Sequence, residues 1–433
     1  MKKIIAISMC IVLTFALFAG CTNVGDAPQQ APPTPGAAPA ATPPAAQPPA
    51  AADDEVIELT VWTYWSQEAM QNSFREFIGK FEAEHPNIRL IHTTVPREDL
   101  LRQYTMGVVT GDLPDIGMVD NPDHASFSAM GVFEDITDLV NEWGEKGYFF
   151  EGPMGSTILD GRVFGLPNNS NCLALFYNVD MLAEAGVEVP TTWDELEVAV
   201  AALTQGDVFG LAISAVGNEE GTFQFMPWFI SAGGSIYDLG GPGPVRAVSF
   251  LASLMDRGYM SRDAINWTQS DANMQFINRR AAMQVNGPWN IPTIRNEAPD
   301  LNWAVAILPR DQRYASVLGG ENFAICTNPT DLDAAWTFMS WFHSTEMSAA
   351  WNYDTGRFPP RADAIPLRAL WTEDPIFSVF GEALQYAMPR GPHPRWPEIS
   401  NAISTAMHEV YTGSRTAEEA MAIAAERFAE IVG

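Results

Sequence analysis

The residue types that most often do chemistry are present in this chain without the spacings that let them act together. Six histidines (His85, His92, His124, His343, His393 and His408) show no metal-ligand spacing, so each reads as a lone side chain. The chain has no G-x-S-x-G, H-E-x-x-H, C-x-x-C or G-x-G-x-x-G, and no Walker-type G-K-[ST] loop. With 53 Asp and Glu, some carboxylates always lie close together, so no hydrolytic pair can be chosen without geometry. What remains are aromatic, amide, carboxylate and guanidinium groups at the ends of elements. Trp65 closes the first strand. Asp120 and Asn121 end another, at the edge where α/β folds bind ligands. Arg357 follows Gly356 in a loop and could clamp a hydroxyl or a carboxylate. The chain also holds 13 Trp, more than a core of this size needs.

The elements that must position these residues alternate. Ile57, Leu59 and Val61 alternate as a strand does. Met70, Phe74, Phe77, Ile78 and Phe81 follow at helical spacing, and the helix must end before His85-Pro86. A strand at Ile88, Leu90 and Ile91, a helix over about 98–109 closed by Gly111, and a buried strand at 115–119 complete a β-α-β-α-β order. That order implies a largely parallel sheet flanked by helices. A second block follows: strands near 173–177, 209–213, 282–285 and 303–307, with helices at 225–231, 245–257 and 271–280. Thr192 and Glu195 form a capping box, as do Thr416 and Glu419 before the last helix, whose buried face is Ala420, Ile423, Ala424 and Phe428. Asp331 starts another helix. The fold class is therefore α/β in two lobes, with no repeat of solenoid length.

The first 20 residues read as an address. Lys2-Lys3 precede an apolar run that ends at Gly20-Cys21, as in a secretory signal. Phe18-Ala19-Gly20-Cys21 resembles the lipobox of bacterial lipoproteins, which implies a lipid on the Cys21 thiol and an anchor in the membrane. Residues 21–55 are mostly Ala, Pro, Gln and Thr and bury too little to order themselves. At about 3.1 Å per residue such a tether reaches on the order of 100 Å. Cys172 and Cys326 are then the cysteines of the folded part. The sequence does not decide whether they pair, and two buried free thiols is the simpler reading.

Lys and Arg number 24, so the formal charge is −29. Nucleic acid is excluded as a partner, because its binders need basic patches to release counterions. Four cysteines exclude a disulfide scaffold.

Several segments together resemble the bacterial extracellular solute-binding family that includes maltose-binding protein. They are 74–90 (FREFIGKFEAEHPNIRL), 111–116 (GDLPDI), 161–182 (GRVFGLPNNSNCLALFYNVDML), 190–196 (PTTWDEL), 282–289 (AMQVNGPW) and 319–324 (GGENFA). The resemblance covers residues 56–433. It implies the two-lobed type II periplasmic-binding-protein fold, with crossings near 169–172, 319–322 and Trp371. The lobes would comprise 56–170 with 286–370, and 171–285 with 371–433. It further implies an extracytoplasmic, monomeric receptor that captures a mono- or oligosaccharide by hinge closure and delivers it to an ABC permease. No catalysis, cofactor or metal is expected. Glycerol phosphate, a polyol or a polyamine is the alternative ligand, and a surface glycosidase the alternative class.

On the resemblance, Trp289 is the stacking aromatic and Asn171 the polar crossing residue, with Asn169 beside it. Phe223, Gln224 and Trp228 lie in an aromatic ligand segment, at least one of them facing the ligand. Glu321 and Asn322 sit on the second crossing. With Trp65, Asp120, Asn121 and Arg357 they make up the expected site. Val119-Asp120 stands where maltose binders carry an aromatic, and Ser400 near a late Trp, which points away from maltose itself.

Overall fold

The computed structural model describes residues 56–390 and 393–433. The leader, Cys21 and the tether expected at 22–55 lie outside them. Two sheets, each with helices on both faces, make up the architecture.

The chain opens with β1 (Ile57–Thr63), β2 (Ile88–Thr94) and β3 (Ile116–Asp120), with β1 parallel to both others. A hairpin of β4 (Ile158–Leu159) and β5 (Arg162–Val163) leads to β6 (Leu166–Pro167). The chain then crosses to a second sheet of β7 (Ala174–Asn178), β8 (Phe209–Ala212), β9 (Ala281–Asn286) and β10 (Trp303–Ala306), in the order β10-β7-β9-β8. After β11 (Ser316–Leu318) it returns as β12 (Glu321–Ile325), which completes the first sheet in the order β2-β1-β3-β12-β6. A late strand, β13 (Ala387–Pro389), runs parallel to β11.

Two expectations change here. The sheets are mixed rather than largely parallel: β12 is antiparallel to β3 and β6, and β7 is antiparallel to β9 and β10. The return to the first sheet also comes at Glu321 and not at residue 286, because β10 hydrogen-bonds to β7 and stays in the second sheet.

Alternation along the strands feeds a core on each face. In β7 and the residue before it, Leu173 and Leu175 enter one cluster while Ala174 and Phe176 enter another with Cys172. In the first sheet, Leu59, Val61 and Met118 meet Phe74, Phe77 and Phe81 of the helix Glu68–Glu84. Every residue expected on that helix's apolar face is buried. Both capping boxes form as read. In the last helix, Ala417–Val432, Met421 is buried where Ile423 was expected, and Ile423 lies at the margin. The helix expected from residue 225 starts earlier, as Glu219–Ser231. The Asn218 side chain accepts from the Glu220 amide, and this local cap outweighs the loop-like composition ahead of the aromatic run. Cys172 and Cys326 are buried and unpaired.

Candidate ligand-binding cleft

Three strands of chain pass between the sheets side by side. Asn171 and Gly319 exchange backbone hydrogen bonds (3.0 and 2.9 Å), and Ser170 and Phe358 do the same (2.8 and 3.1 Å). The third passage is therefore at Phe358. Trp371 is buried beside it and donates its indole N–H to the Arg357 carbonyl at 2.8 Å. Above this floor lies a cavity of about 400 Å³ between the two sheets.

The floor supplies Asn171, Gly319, Gly320, Glu321 and Arg357 to the cavity wall. Asn171 donates to Oδ1 of Asn169 at 3.1 Å, and Asn169 donates to the Glu321 carboxylate. Arg357 Nε stands 3.7 Å from Oε2 of Glu321, with Nη1 donating to the Thr355 carbonyl at 3.3 Å. Trp65 Nε1, Gln269 Nε2 and Arg390 Nε elsewhere in the lining are buried without a hydrogen-bond partner, and in the floor itself two more atoms are, Oδ1 of Asn171 and Nε of Arg357. One is an acceptor and the other a donor, so together they suit a hydroxyl-bearing ligand. Burial lowers the Arg357 guanidinium from its ordinary range, an effect Glu321 opposes.

The first sheet contributes Tyr64, Trp65, Arg97 and Asp120. Trp65 serves two roles. Its ring packs on Trp351 (4.8 Å between centroids) and Phe74 (5.2 Å), and its edge reaches the cavity. Burial, then the charges of Glu321 and Asp120, push the Tyr64 phenol well above its usual range. The second sheet contributes Glu219, Glu220, Phe223, Gln269 and Trp289. Phe223 and Trp289 stand 6.2 Å apart at 39°. Trp289 folds back so closely over Gly287 that a Cβ there would lie 1.9 Å from its ring.

Seven of the twelve expected site residues thus line one cavity. The other five do not reach it. Trp228 turns into the core against Trp193 and Phe250 (5.8 and 5.9 Å), because it lies five residues beyond Phe223 and so on another face of the helix. Gln224, next to Phe223, is fully buried behind the wall. Asn169 sits under the floor as a link between Asn171 and Glu321. Asn322 faces away and donates to Ser156 Oγ at 2.9 Å. Asn121 accepts from Arg390 at 3.2 Å and gives its backbone N–H to the Gly320 carbonyl.

Sequence reasoning missed Tyr64, Arg97, Glu219, Glu220, Gln269 and Arg390. Glu219 and Glu220 carried a signal, the Asn218 cap that opens their helix at the cleft. Arg390 carried none, since its partners are far away in sequence. Its Nη1 and Nη2 donate to both oxygens of Asp120 (2.9 and 2.8 Å), and Nη1 also donates to Glu219. Its guanidinium carbon lies 4.4 Å from the Phe223 ring centroid. Arg97 pairs with Asp123 at 2.5 Å and approaches Asp120 at 3.6 Å. Burial alone would lower both guanidiniums, yet the neighbouring carboxylates (Asp123 and Asp120 at Arg97, Asp120 and Glu219 at Arg390) carry them above their ordinary range. Each guanidinium in the wall therefore already faces a carboxylate, and a bound anion would have to displace one.

A family model of bacterial extracellular solute-binding proteins matches residues 76–379. A protein of Brucella abortus described as a binding protein is 25% identical over 374 residues, 84% of this chain and 90% of its own. A maltotriose-binding protein of Pyrococcus abyssi is 23% identical over 365 residues, 80% of this chain and 76% of its own. The crystal structure of an ABC transporter solute-binding protein from Thermotoga lettingae, bound with α-D-tagatose, matches 87% of this chain and all of its own, with a TM-score of 0.82 and 26% identity. The two sheets and their hinge are accordingly the lobes of the type II periplasmic-binding-protein fold. On the match over residues 76–379, the chain belongs to the bacterial extracellular solute-binding proteins, which places its work outside the cytoplasm.

Proposed function

We propose that this protein captures a small neutral sugar or short oligosaccharide between its lobes and hands it to an ABC import permease. One observation carries the reading. A cavity of about 400 Å³ combines aromatic surfaces (Trp65, Phe223, Trp289) with the unpartnered Asn171 Oδ1 and Arg357 Nε. Sugars present apolar C–H faces to aromatic rings and hydroxyls to amides and guanidiniums. The volume is at the small end of ligand pockets, about 300–1,000 Å³. The sugar-bound and sugar-named relatives support the same class.

The charge pattern weighs against glycerol phosphate, because no guanidinium in the wall lacks a carboxylate beside it. It weighs less against a polyamine, which Asp120, Glu219 and Glu321 could meet. Binding here makes and breaks no bond. Ligand shifts an open–closed equilibrium by its greater affinity for the closed form.

A thermal-shift panel of sugars, polyols, polyamines and glycerol phosphate tests the reading, since a ligand of the native state raises the melting point. A rise with neutral sugars is expected. A rise with a polyamine or glycerol phosphate alone, or hydrolysis of a glycoside in the panel, would overturn it.

We also propose that Cys21 carries a lipid and that residues 22–55 tether the receptor to the outer face of the membrane. The supporting feature is the Phe18-Ala19-Gly20-Cys21 pattern after an apolar run. Cys21→Ser is expected to move the protein into the soluble fraction, and continued membrane anchorage would count against it.

A further inference from the structure

We propose that Arg390 is a latch that joins the two lobes with protein-only bonds and holds the closed cleft in the absence of ligand. The inference rests on the reading of the cleft as a hinged ligand site. Arg390 follows β13, which pairs with β11 beside the second lobe's core, where Val317 is buried. Glu219 opens a helix of that same lobe. Asp120 ends β3 of the first lobe. The arginine thus reaches across 270 residues of sequence to a carboxylate of the opposite lobe while holding one on its own side.

The geometry is the strong kind. Both terminal nitrogens meet both oxygens of Asp120 in a bidentate fork. The side chain is 2% exposed, against 15% for Asp120 and 8% for Glu219. Asn121 of the first lobe accepts a further bond, and Trp396 of the second donates its indole N–H to Glu219 at 3.0 Å. Nearby, Ser126 Oγ of the first lobe donates to the Pro394 carbonyl at 2.5 Å. Separating the lobes would leave Arg390 with one carboxylate and expose the other to water. A lysine could not replace it, because one ammonium cannot form the fork to Asp120 and reach Glu219 as well.

The latch also touches the ligand wall. The guanidinium lies over one side of Phe223, and Trp289 stands near the same ring. Arg390, Phe223 and Trp289 all belong to the second lobe, so the latch holds Asp120 of the first lobe against this aromatic wall. By stabilising the closed form, it lessens the share of the ligand's binding energy needed to populate that form.

The test needs no ligand. Small-angle scattering on the ligand-free full-length protein compares the wild type with Arg390→Ala, Arg390→Lys and Asp120→Asn. The wild-type profile is expected to be the most compact. Arg390→Ala should raise the radius of gyration, as should Asp120→Asn, which removes the carboxylate on the opposite lobe while keeping its size, with Arg390→Lys intermediate. If Arg390→Ala fails to fold, Asp120→Asn carries the comparison. A wild type already as large as the variants, or folded variants with an unchanged radius, would overturn the latch. Either result leaves the sugar reading to be judged by the thermal-shift panel alone.

Discussion

Gly319 and Asn171 meet at the cleft floor with no room for a side chain between them. A Cβ on Gly319 would stand 2.2 Å from Oδ1 of Asn171 and 2.9 Å from Cζ of Phe223. The two residues also exchange backbone hydrogen bonds, so the contact cannot relax by simple sliding. The missing side chain allows a buried amide oxygen and an aromatic ring to share one edge of the cavity.

Gly319→Ala should therefore displace Asn171 and Phe223 together. Affinity for the solute found by screening is expected to fall at least tenfold by calorimetric titration, about 1.4 kcal/mol. Far-ultraviolet circular dichroism should stay native. Unchanged affinity would remove this edge from the site.

Trp289→Ala is the complementary test on the ring beside Phe223. The ring is half-buried and packs at the margin of the second lobe's core, so its loss should cost little in melting temperature. Binding should weaken at least tenfold if the ring faces the solute. A large drop in melting temperature with intact affinity would make Trp289 a core residue instead.

Phe74 is expected to behave in the reverse manner. It is fully buried, and its ring meets Trp65, Trp351, Phe323 and Phe342. Phe74→Ala should destabilise the fold by about 3–5 kcal/mol through the cavity it leaves. Urea unfolding measures this. A loss below about 1 kcal/mol would mean that the cluster repacks, contrary to the interlocked rings seen here.

Acid should destabilise the protein in a defined window. Burial lowers His124 to about 3 and His343 to about 4, so both are neutral in the folded state. The unfolded chain takes up a proton on each below about pH 6.5. Stability is then fully present above that pH and falls towards pH 4, by about 1.4 kcal/mol per pH unit for each imidazole. Burial lowers His92 to about 4 as well, which adds to the same slope. Burial raises Asp123 while the Arg97 guanidinium pulls it back, so this group offsets part of the slope. Melting temperatures should fall from pH 6.5 to 4.5, and His124→Gln should flatten the fall by about one proton. The same slope in wild type and variant would contradict the assignment.

The sequence by itself determined the local elements and several of the groups at their ends. A buried face every third or fourth residue from Met70 to Phe81, and caps that close within three residues at Thr192 and Thr416, are interactions between near neighbours, so their signal lies in the local pattern. Asn171 and Glu321 reach the cleft because chain segments that cross between sheets expose their ends there, and Asp120 because β3 ends at the same edge. The tertiary structure alone decided which neighbours face the solute. Phe223 lines the cavity and Trp228 the core because the packing of one helix fixes its rotation. Asn121 and Asn169 satisfy other protein groups, which no spacing reveals. Arg390 joins Asp120 from 270 residues away because two sheets, each assembled from distant segments, bring their carboxylates to one arginine. Such a meeting depends on how the crossings are arranged in space, and a pattern of neighbouring residues carries no trace of it.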